Sequence, residues 1–380
     1  MFKADSYEVA VYYFPQYHPD ATNDRWFHPG WTEWELVKAA RPRFEGHRQP
    51  IVPEWGYFNE ADPAWAAKEI DLAADHGITT FLYDWYWYEG KPYLQEGLEK
   101  GFMAAPNNDR LKFGLMWANH KLVNIFPNSA NETPALMADG AVDRATFDSM
   151  VEYVIETYFD HPSYFKIDGA PYFSIYELGT LIQGLGGLEA AKAALEHFRA
   201  RTKAHGFPDL HLNGITWGFQ VLPTEIKIAE PALIVNYLGF NSVGSYVWIH
   251  HVDLSTKSFP TTDYRDIAED NYKVWEEYKE VFPVQYMPNV SMGWDASPRT
   301  NQEIPFQKAP YPWTNIITGN SPATFQEALQ RAKEFIDCQD LRPKMLTINA
   351  WNEWTEGSYL LPDTFYGTGY LEAIKKVFGV

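Results

Sequence analysis

Two glutamates three positions apart, Glu353 and Glu356, stand in the tract NAWNEWTEG that runs from Asn349 to Gly357. In a helical turn, residues at this spacing share a face, with Cβ atoms about 5–6 Å apart. That separation approaches the roughly 5–5.5 Å between the carboxyl groups of retaining glycosidases. In an extended conformation the two side chains would point to opposite faces. The alternative is a pair of solvent-exposed loop glutamates, which the flanking tryptophans disfavour.

Two carboxyl groups can divide acid–base work only if their surroundings separate their pKa values. One then stays ionised as base or nucleophile, while the other keeps a proton and donates it to a leaving oxygen. An apolar wall raises the pKa of a carboxyl group. We expect Trp351 and Trp354 to form that wall, and Asn352 between them to contact substrate.

Further candidate substrate-binding residues follow other strand-like segments and combine aromatic rings with polar groups. Such combinations suit a sugar, whose C–H faces stack on rings and whose hydroxyls need hydrogen-bond partners. Asp84 and Trp87 are the leading examples. The other candidates are Tyr13, His18, Glu33, Trp34, Asn119, His120, Trp294, Asp295 and Arg299. For each the alternative is a structural role, and Asp295 and Arg299 could simply pair with each other and hold their loop.

Composition and motifs exclude several classes of function. The chain of 380 residues has a formal net charge of −19, which opposes binding to nucleic acid or to an anionic membrane but not to a neutral sugar. H-E-x-x-H, EF-hand, P-loop and G-x-S-x-G motifs are absent from the sequence. The adjacent His250 and His251 would face opposite ways on a strand, which favours a structural role over a metal pair. We therefore expect no metal and no cofactor.

The elements that must position these residues alternate between strand and helix along the whole chain. The predicted strands are Glu8–Phe14, Thr79–Asp84, Lys112–Trp117, Pro171–Tyr176, His211–Thr216, Val243–Trp248, Val284–Asn289 and Met345–Ala350. The predicted helices are Ala64–Asp75, Tyr93–Ala104, Ala145–Tyr158, Leu188–Ala204, Ile267–Glu280 and Pro322–Asp337. This alternation predicts an α/β fold, a (β/α)8 TIM barrel formed by a single catalytic domain over residues 1–380.

An open doubly wound sheet is the competing architecture, but it usually carries a Gly-rich phosphate turn after its first strand. Here the first strand is followed by the segment PQYHP. Long βα loops, Tyr17–Glu60, Asn119–Asp143 and Ser291–Asn320, follow predicted strands one, three and seven. In such barrels the active site is built from loops at the C-terminal ends of the strands.

The N-terminal residues lack the apolar core of a signal peptide, and no run approaches the ~20 apolar residues of a membrane span. We therefore expect a soluble protein that is cytoplasmic as written, or periplasmic or secreted if a signal peptide has been removed. The sequence makes no prediction of oligomeric state.

Several long motifs resemble those of the glycoside hydrolase family 99-like proteins, including the group labelled WbsX. The segments that carry the resemblance are YYFPQYHPDATND, GWTEWELVKAARPRFEGHRQP, HGITTFLYDWYWYEGKPYL, FGLMWANH, GWDASPR and WNEWTEGSYLLPD. They occur in the expected order and extend from near residue 11 to the C-terminal YLEAIKKVFG.

The resemblance implies a (β/α)8 barrel and retaining cleavage of α-glycosides, without a metal. In the founding family, which is similar to endo-α-mannosidase, one glutamate deprotonates the substrate 2-hydroxyl to give a 1,2-anhydro sugar. The other protonates the leaving group and later activates water. Motif position gives Glu353 the first role and Glu356 the second, although the two roles could be exchanged.

Three functions remain open at this point. The first is a retaining glycoside hydrolase that acts on an oligosaccharide or polysaccharide. The second is a glycosyltransferase of surface-polysaccharide (O-antigen or capsule) assembly, as the WbsX-like group has been called; the chain lacks a D-x-D tract and a basic phosphate clamp. The third is a non-catalytic carbohydrate-binding barrel, against which the presence of both glutamates argues.

Overall fold

A parallel barrel of eight strands forms the centre of the computed structural model, which describes residues 6–130 and 132–379. The strands are β1 (Tyr7–Tyr13), β2 (Thr80–Tyr88), β3 (Lys112–Trp117), β4 (Ala170–Ile175), β5 (His211–Ile215), β6 (Ser242–Gly244), β7 (Gln285–Met287 and, after Pro288, Asn289–Ser291) and β8 (Lys344–Asn349). Each strand pairs in parallel with its neighbours in chain order, and β1 pairs with β8 through Tyr7 and Lys344.

Strand β7 is interrupted at Pro288, and its two pieces pair with different neighbours, which closes the barrel. Its first piece, Gln285–Met287, pairs with β6, and its second piece, Asn289–Ser291, pairs with β8. Proline lacks the N–H that a ladder needs, so a strand tolerates it at a break or an edge. The predicted (β/α)8 TIM barrel is therefore confirmed.

Helices and loops surround the barrel. The helices are α1 (Ala21–Trp26), α2 (Trp34–Ala39), α3 (Pro63–Asp75), α4 (Arg144–Val154), α5 (Leu178–Gly184), α6 (Leu188–Ala204), α7 (Pro231–Leu238), α8 (Tyr264–Val281), α9 (Pro322–Asp337) and α10 (Gly369–Phe378). Helix α3 begins as its sequence predicts, since the Asp62 side chain accepts from the backbone N–H of Ala64 and Pro63 occupies the first turn.

One predicted helix is largely replaced by other structure. The segment Tyr93–Ala104 contains only a π-helical turn at Gly97–Phe102, because Lys91–Tyr93 folds back and pairs with the end of β2. Gly101 packs closely on the long loop after β1, Tyr17–Glu60, which we call loop one. A Cβ at Gly101 would lie 2.3 Å from the carbonyl oxygen of Glu60. Within the described parts of the chain, no helix combines the length and apolar character that a membrane crossing requires.

Candidate active site

A cavity of about 810 Å³, including the space at its mouth, opens at the C-terminal ends of the barrel strands. Six of the residues that the sequence singles out line it: Asp84, His120, Trp294, Arg299, Glu353 and Glu356. They come from the ends of β2, β3, β7 and β8, because parallel strands of a barrel present these ends on one rim. Neighbouring walls include Phe14, Phe126, Tyr176, Tyr246, His250 and Tyr311.

The tract that carries the two glutamates is neither a continuous helix nor a continuous strand. Asn352–Glu353 pairs with Ser358–Tyr359, whereas Trp354–Glu356 forms a 3-10 turn. Gly357 has a φ of +63°, and a Cβ there would lie 2.7 Å from Cβ of Asp295. This turn brings both carboxyl groups to one side, where both face Arg299.

Arg299 is the centre of the charge network. Its Nη1 lies 2.5 Å from Oε1 of Glu356, and its Nη2 lies 3.6 Å from Oε1 of Glu353. The same Nη2 donates to Glu33, a candidate from loop one, at 3.1 Å. Burial lowers the pKa of Arg299, but Glu33, Tyr311 and Glu356 raise it by more, so the guanidinium stays charged.

Glu353 contacts a second carboxyl group through a tyrosine. The Tyr246 hydroxyl lies 2.8 Å from Oε2 of Glu353 and 2.8 Å from Oδ2 of Asp84. Burial raises the pKa of Glu353 well above its usual range, and Glu356 adds to this effect while Arg299 opposes it. Burial likewise raises the pKa of Asp84. Tyr246 was not among the residues predicted from the sequence, although its place two residues after β6 makes it a rim residue.

Glu356 has a different environment, because its Oε1 accepts from both Arg299 and the hydroxyl of Tyr311, each at 2.5 Å. Among the described residues, none hydrogen-bonds Oε2 of Glu356, and only Arg299 approaches Oε1 of Glu353. Each glutamate thus has one oxygen that accepts a hydrogen bond from the protein and one that accepts none, and the latter oxygen of Glu353 lies at ion-pair distance from Arg299.

A second polar cluster lies in the cavity wall and was also missed. Glu225 accepts from the hydroxyl of Tyr176 at 2.7 Å, and its Oε1 lies 3.2 Å from Nε2 of His250. Burial raises the pKa of Glu225, but His250 and Tyr176 lower it by more. His251 instead faces Tyr278, outside the cavity lining. No group of three or more His, Cys, Asp or Glu side chains suited to a metal ion occurs in residues 6–130 and 132–379.

The predicted tryptophan wall does not form beside Glu353. Trp351 is fully buried beneath the rim, where its Nε1 donates to Glu69 at 2.9 Å, and Tyr13 donates to the same carboxyl group. Trp354 stacks on Tyr359 with ring centroids 4.2 Å apart. Neither tryptophan lies in a strand: Trp351 sits in the bend after β8 and Trp354 opens the 3-10 turn, and both rings lie outside the cavity lining.

Trp34 and Trp87 also lie outside the cavity lining. Nε1 of Trp34 donates to the carbonyl oxygen of Phe58 at 2.8 Å. Trp87 packs against Trp85 and Tyr153. Both rings therefore support the rim in this structure rather than face the cavity.

Several polar candidates anchor the rim loops. His18 Nδ1 lies 2.8 Å from Glu60, whose other oxygen accepts from Asn352. Asn119 bonds the backbone N–H and carbonyl of Glu177.

Asp295 accepts from Gln49 and lies 2.8 Å from Nε2 of His47, so it fastens loop one to the loop after β7. The alternative of an Asp295–Arg299 pair does not occur, because the 3-10 turn at Ser297–Arg299 directs Arg299 into the cavity instead.

Glu69, buried below the catalytic rim, should make stability depend on pH. Burial raises its pKa from 4.5 to about 8, and Glu60 adds to the shift, while the hydrogen bonds from Trp351 and Tyr13 oppose it. A proton therefore binds the folded state more tightly than the unfolded one. This contribution is complete below about pH 4.5 and is lost as the pH rises to about 8.

We expect Glu69→Gln, which cannot ionise, to lose less of its resistance to urea between pH 6 and pH 9 than the wild type loses. The wild type should lose on the order of a few kcal/mol of its free energy of unfolding over that interval relative to the variant. Glu327→Gln, an exposed glutamate, is the matched control. Equal pH dependence in Glu69→Gln and wild type would contradict the assignment.

Comparison with known proteins identifies both a family and a fold. The family model described as "Glycosyltransferase WbsX" matches residues 9–374. A protein named "Uncharacterized protein WxcX" from Xanthomonas campestris pv. campestris (strain B100) is 26% identical over 371 residues, which cover 97% of this chain and 49% of that protein. The chain thus spans about half the length of the curated relatives that it matches.

Solved structures show the same fold at low sequence identity. A glycoside hydrolase-like protein superposes with a TM-score of 0.62 at 14% identity, covering 100% of this chain and 96% of the other. A GH99 endo-α-mannosidase from Bacteroides thetaiotaomicron gives a TM-score of 0.57 at 14% identity, covering 98% of this chain and 96% of the other. At this identity the likeness establishes the fold alone.

Proposed function

We propose that the chain, which belongs to the family described as glycosyltransferase WbsX, is a retaining glycoside hydrolase. It would cleave α-linked bonds in an oligosaccharide or polysaccharide. The observation that carries the proposal is the pair of buried glutamates on one rim, Glu353 and Glu356. Each has one oxygen that accepts a hydrogen bond from the protein and one that accepts none. Such a pair suits an acid–base reaction at a glycosidic bond.

The proposed reaction has two steps. Glu353 takes the proton of the sugar 2-hydroxyl while that oxygen attacks the anomeric carbon. Glu356 gives a proton to the leaving oxygen, and a 1,2-anhydro sugar results. In the second step Glu356 takes a proton from water, which opens the three-membered ring, and Glu353 returns its proton to O2. Two inversions at the anomeric carbon give net retention.

A groove next to the cavity supports a substrate longer than one sugar. It shares Val221, Leu222 and Tyr311 with the cavity wall and continues over the loops after β5, β6 and β7. The ring of Phe219, 42% exposed, lines this groove together with exposed polar side chains such as Gln220. Exposed rings next to hydrogen-bonding groups suit sugar units that extend away from the cleaved bond.

A sugar-nucleotide transferase is the second candidate, because the family description names that activity. The cavity supports it less well. A nucleotide diphosphate needs cations, and the buried Arg299 already faces the three carboxyl groups of Glu33, Glu353 and Glu356.

The test is product analysis on a panel of α-linked mannans and bacterial polysaccharides, together with binding of sugar nucleotides. A hydrolase should release new reducing ends without any added donor, and the newly formed end should keep the α configuration when observed by NMR. Binding of a sugar nucleotide with donor-dependent chain growth would overturn the proposal in favour of transfer. An inverted product would exclude the 1,2-anhydro route.

A further inference from the structure

One phenol group lies between two carboxyl groups at the rim. The Tyr246 oxygen is 2.8 Å from both Asp84 Oδ2 and Glu353 Oε2, and all three side chains are buried. A tyrosine hydroxyl has a single proton and can donate it to only one acceptor at a time. The second contact is therefore a hydrogen bond only if the other carboxyl group is itself protonated and donates to the phenol oxygen.

We propose that Asp84 and Glu353 share one proton through Tyr246 in the resting protein, and that this proton resides on Asp84. In that arrangement Asp84 donates to Tyr246, and Tyr246 donates to Glu353. Every contact is then satisfied, and the pair carries a single negative charge. Two ionised carboxylates at one buried phenol would leave one of them without a donor, which is costly in a low-dielectric interior.

The surrounding charges decide which carboxyl group keeps the proton. Arg299 lies 3.6 Å from Glu353 and stabilises its ionised form. Asp84 contacts no cation among the described residues, and its Oδ1 is buried without a hydrogen-bond partner. The other titratable groups that act on the three are Glu356, Tyr12, Tyr17 and Tyr86, and Tyr176 packs against the ring of Tyr246. A lone proton therefore goes to the carboxyl group that Arg299 does not face.

This arrangement gives Asp84 a positioning role that the proposed hydrolysis would use, since it keeps Glu353 an anion in a buried site. The tautomers interconvert by a coupled shift, in which the Asp84 proton moves to the phenol oxygen as the phenol proton moves to Glu353. No proton enters or leaves the cluster. The protonation pattern is a property of the substrate-free protein, so testing it does not depend on the reaction that we propose.

Infrared difference spectroscopy tests the inference without substrate. At pH 7 the wild type should show a protonated-carboxyl band that Asp84→Asn removes and that shifts when only aspartate carries carbon-13 in its carboxyl group. The amide introduced by Asp84→Asn would imitate the protonated carboxyl group by donating to Tyr246, so the fold should be retained. Glu353→Gln should remove the same band, because the new amide becomes the donor and Asp84 then ionises.

The exposed Asp340, changed by Asp340→Asn, is the control, and its spectrum should match the wild type in this region. The proposal is overturned if Asp84→Asn leaves the protonated-carboxyl bands unchanged. It is also overturned if the band that Asp84→Asn removes shifts with labelled glutamate instead of labelled aspartate. Neither outcome depends on whether the protein hydrolyses a glycoside.

Discussion

Replacing either Glu353 or Glu356 with glutamine is expected to lower kcat on a cleaved α-glycan by about 10²–10⁴-fold. Glutamine keeps the shape of the side chain and can still form hydrogen bonds with Arg299 or Tyr246, but it cannot exchange a proton at neutral pH. The loss should appear in kcat far more than in substrate affinity, because the hydrogen bonds that hold a sugar remain. Initial rates of reducing-end formation measure the effect.

The matched control for these variants is Glu327→Gln, in which an exposed glutamate paired with Arg265 is changed. It should retain the wild-type rate. If Glu353→Gln and Glu356→Gln turn over as fast as Glu327→Gln, the two glutamates are not the acid–base pair. A loss in only one of them would leave a single-carboxylate mechanism and exclude the two-step route.

Arg299→Met is expected to be the most destabilising single change at the site, lowering the free energy of unfolding by about 3–5 kcal/mol. Arg299 is buried, and Glu33, Glu353 and Glu356 all face its guanidinium. Methionine fills much of the volume but leaves three carboxyl groups without their cation. Burial already raises the pKa values of Glu33 and Glu353, and without the cation these should rise further, so the variant should lose stability as the pH increases from 5 to 8.

Guanidinium or urea unfolding followed by tryptophan fluorescence measures this effect, with Arg265→Met as the comparison. Arg265 forms an exposed pair with Glu327, and such pairs contribute about 0–1 kcal/mol. If both variants lose the same small amount of stability, Arg299 is not the charge that holds the acidic cluster together.

The barrel was predictable because each strand carries β-branched and aromatic residues and each is followed by a turn or helix signal. The position of Glu353 and Glu356 on the rim follows from the same pattern, since they come directly after the last strand. Arg299 was a candidate because it lies in the loop after β7, but the partners of its charge come from loop one and β8. Contacts between residues 266 positions apart, as for Arg299 and Glu33, leave no trace in local spacing.

The tryptophans show where sequence pattern stops being informative. Composition identifies an excess of aromatic rings but does not distinguish a ring that meets a sugar from one that packs below the rim. Trp351 follows β8 by two residues, and its partner Glu69 lies 282 positions away on α3, so local pattern does not reveal that it donates into the core. Tyr246 was overlooked for a related reason, because β6 is only three residues long and the rim begins earlier there than the predicted strand suggested.

Closure of the barrel between β1 and β8 has a consequence for how the protein is made. The hydrogen bonds between Phe14 and Asn352 join residues 338 positions apart, so residues far apart in the sequence build one and the same site. A ribosome completes the first strand and loop one long before it reaches Glu353. A nascent chain that stops before Glu356 therefore lacks one or both of the paired glutamates, and the site can assemble only after Glu356 has been added.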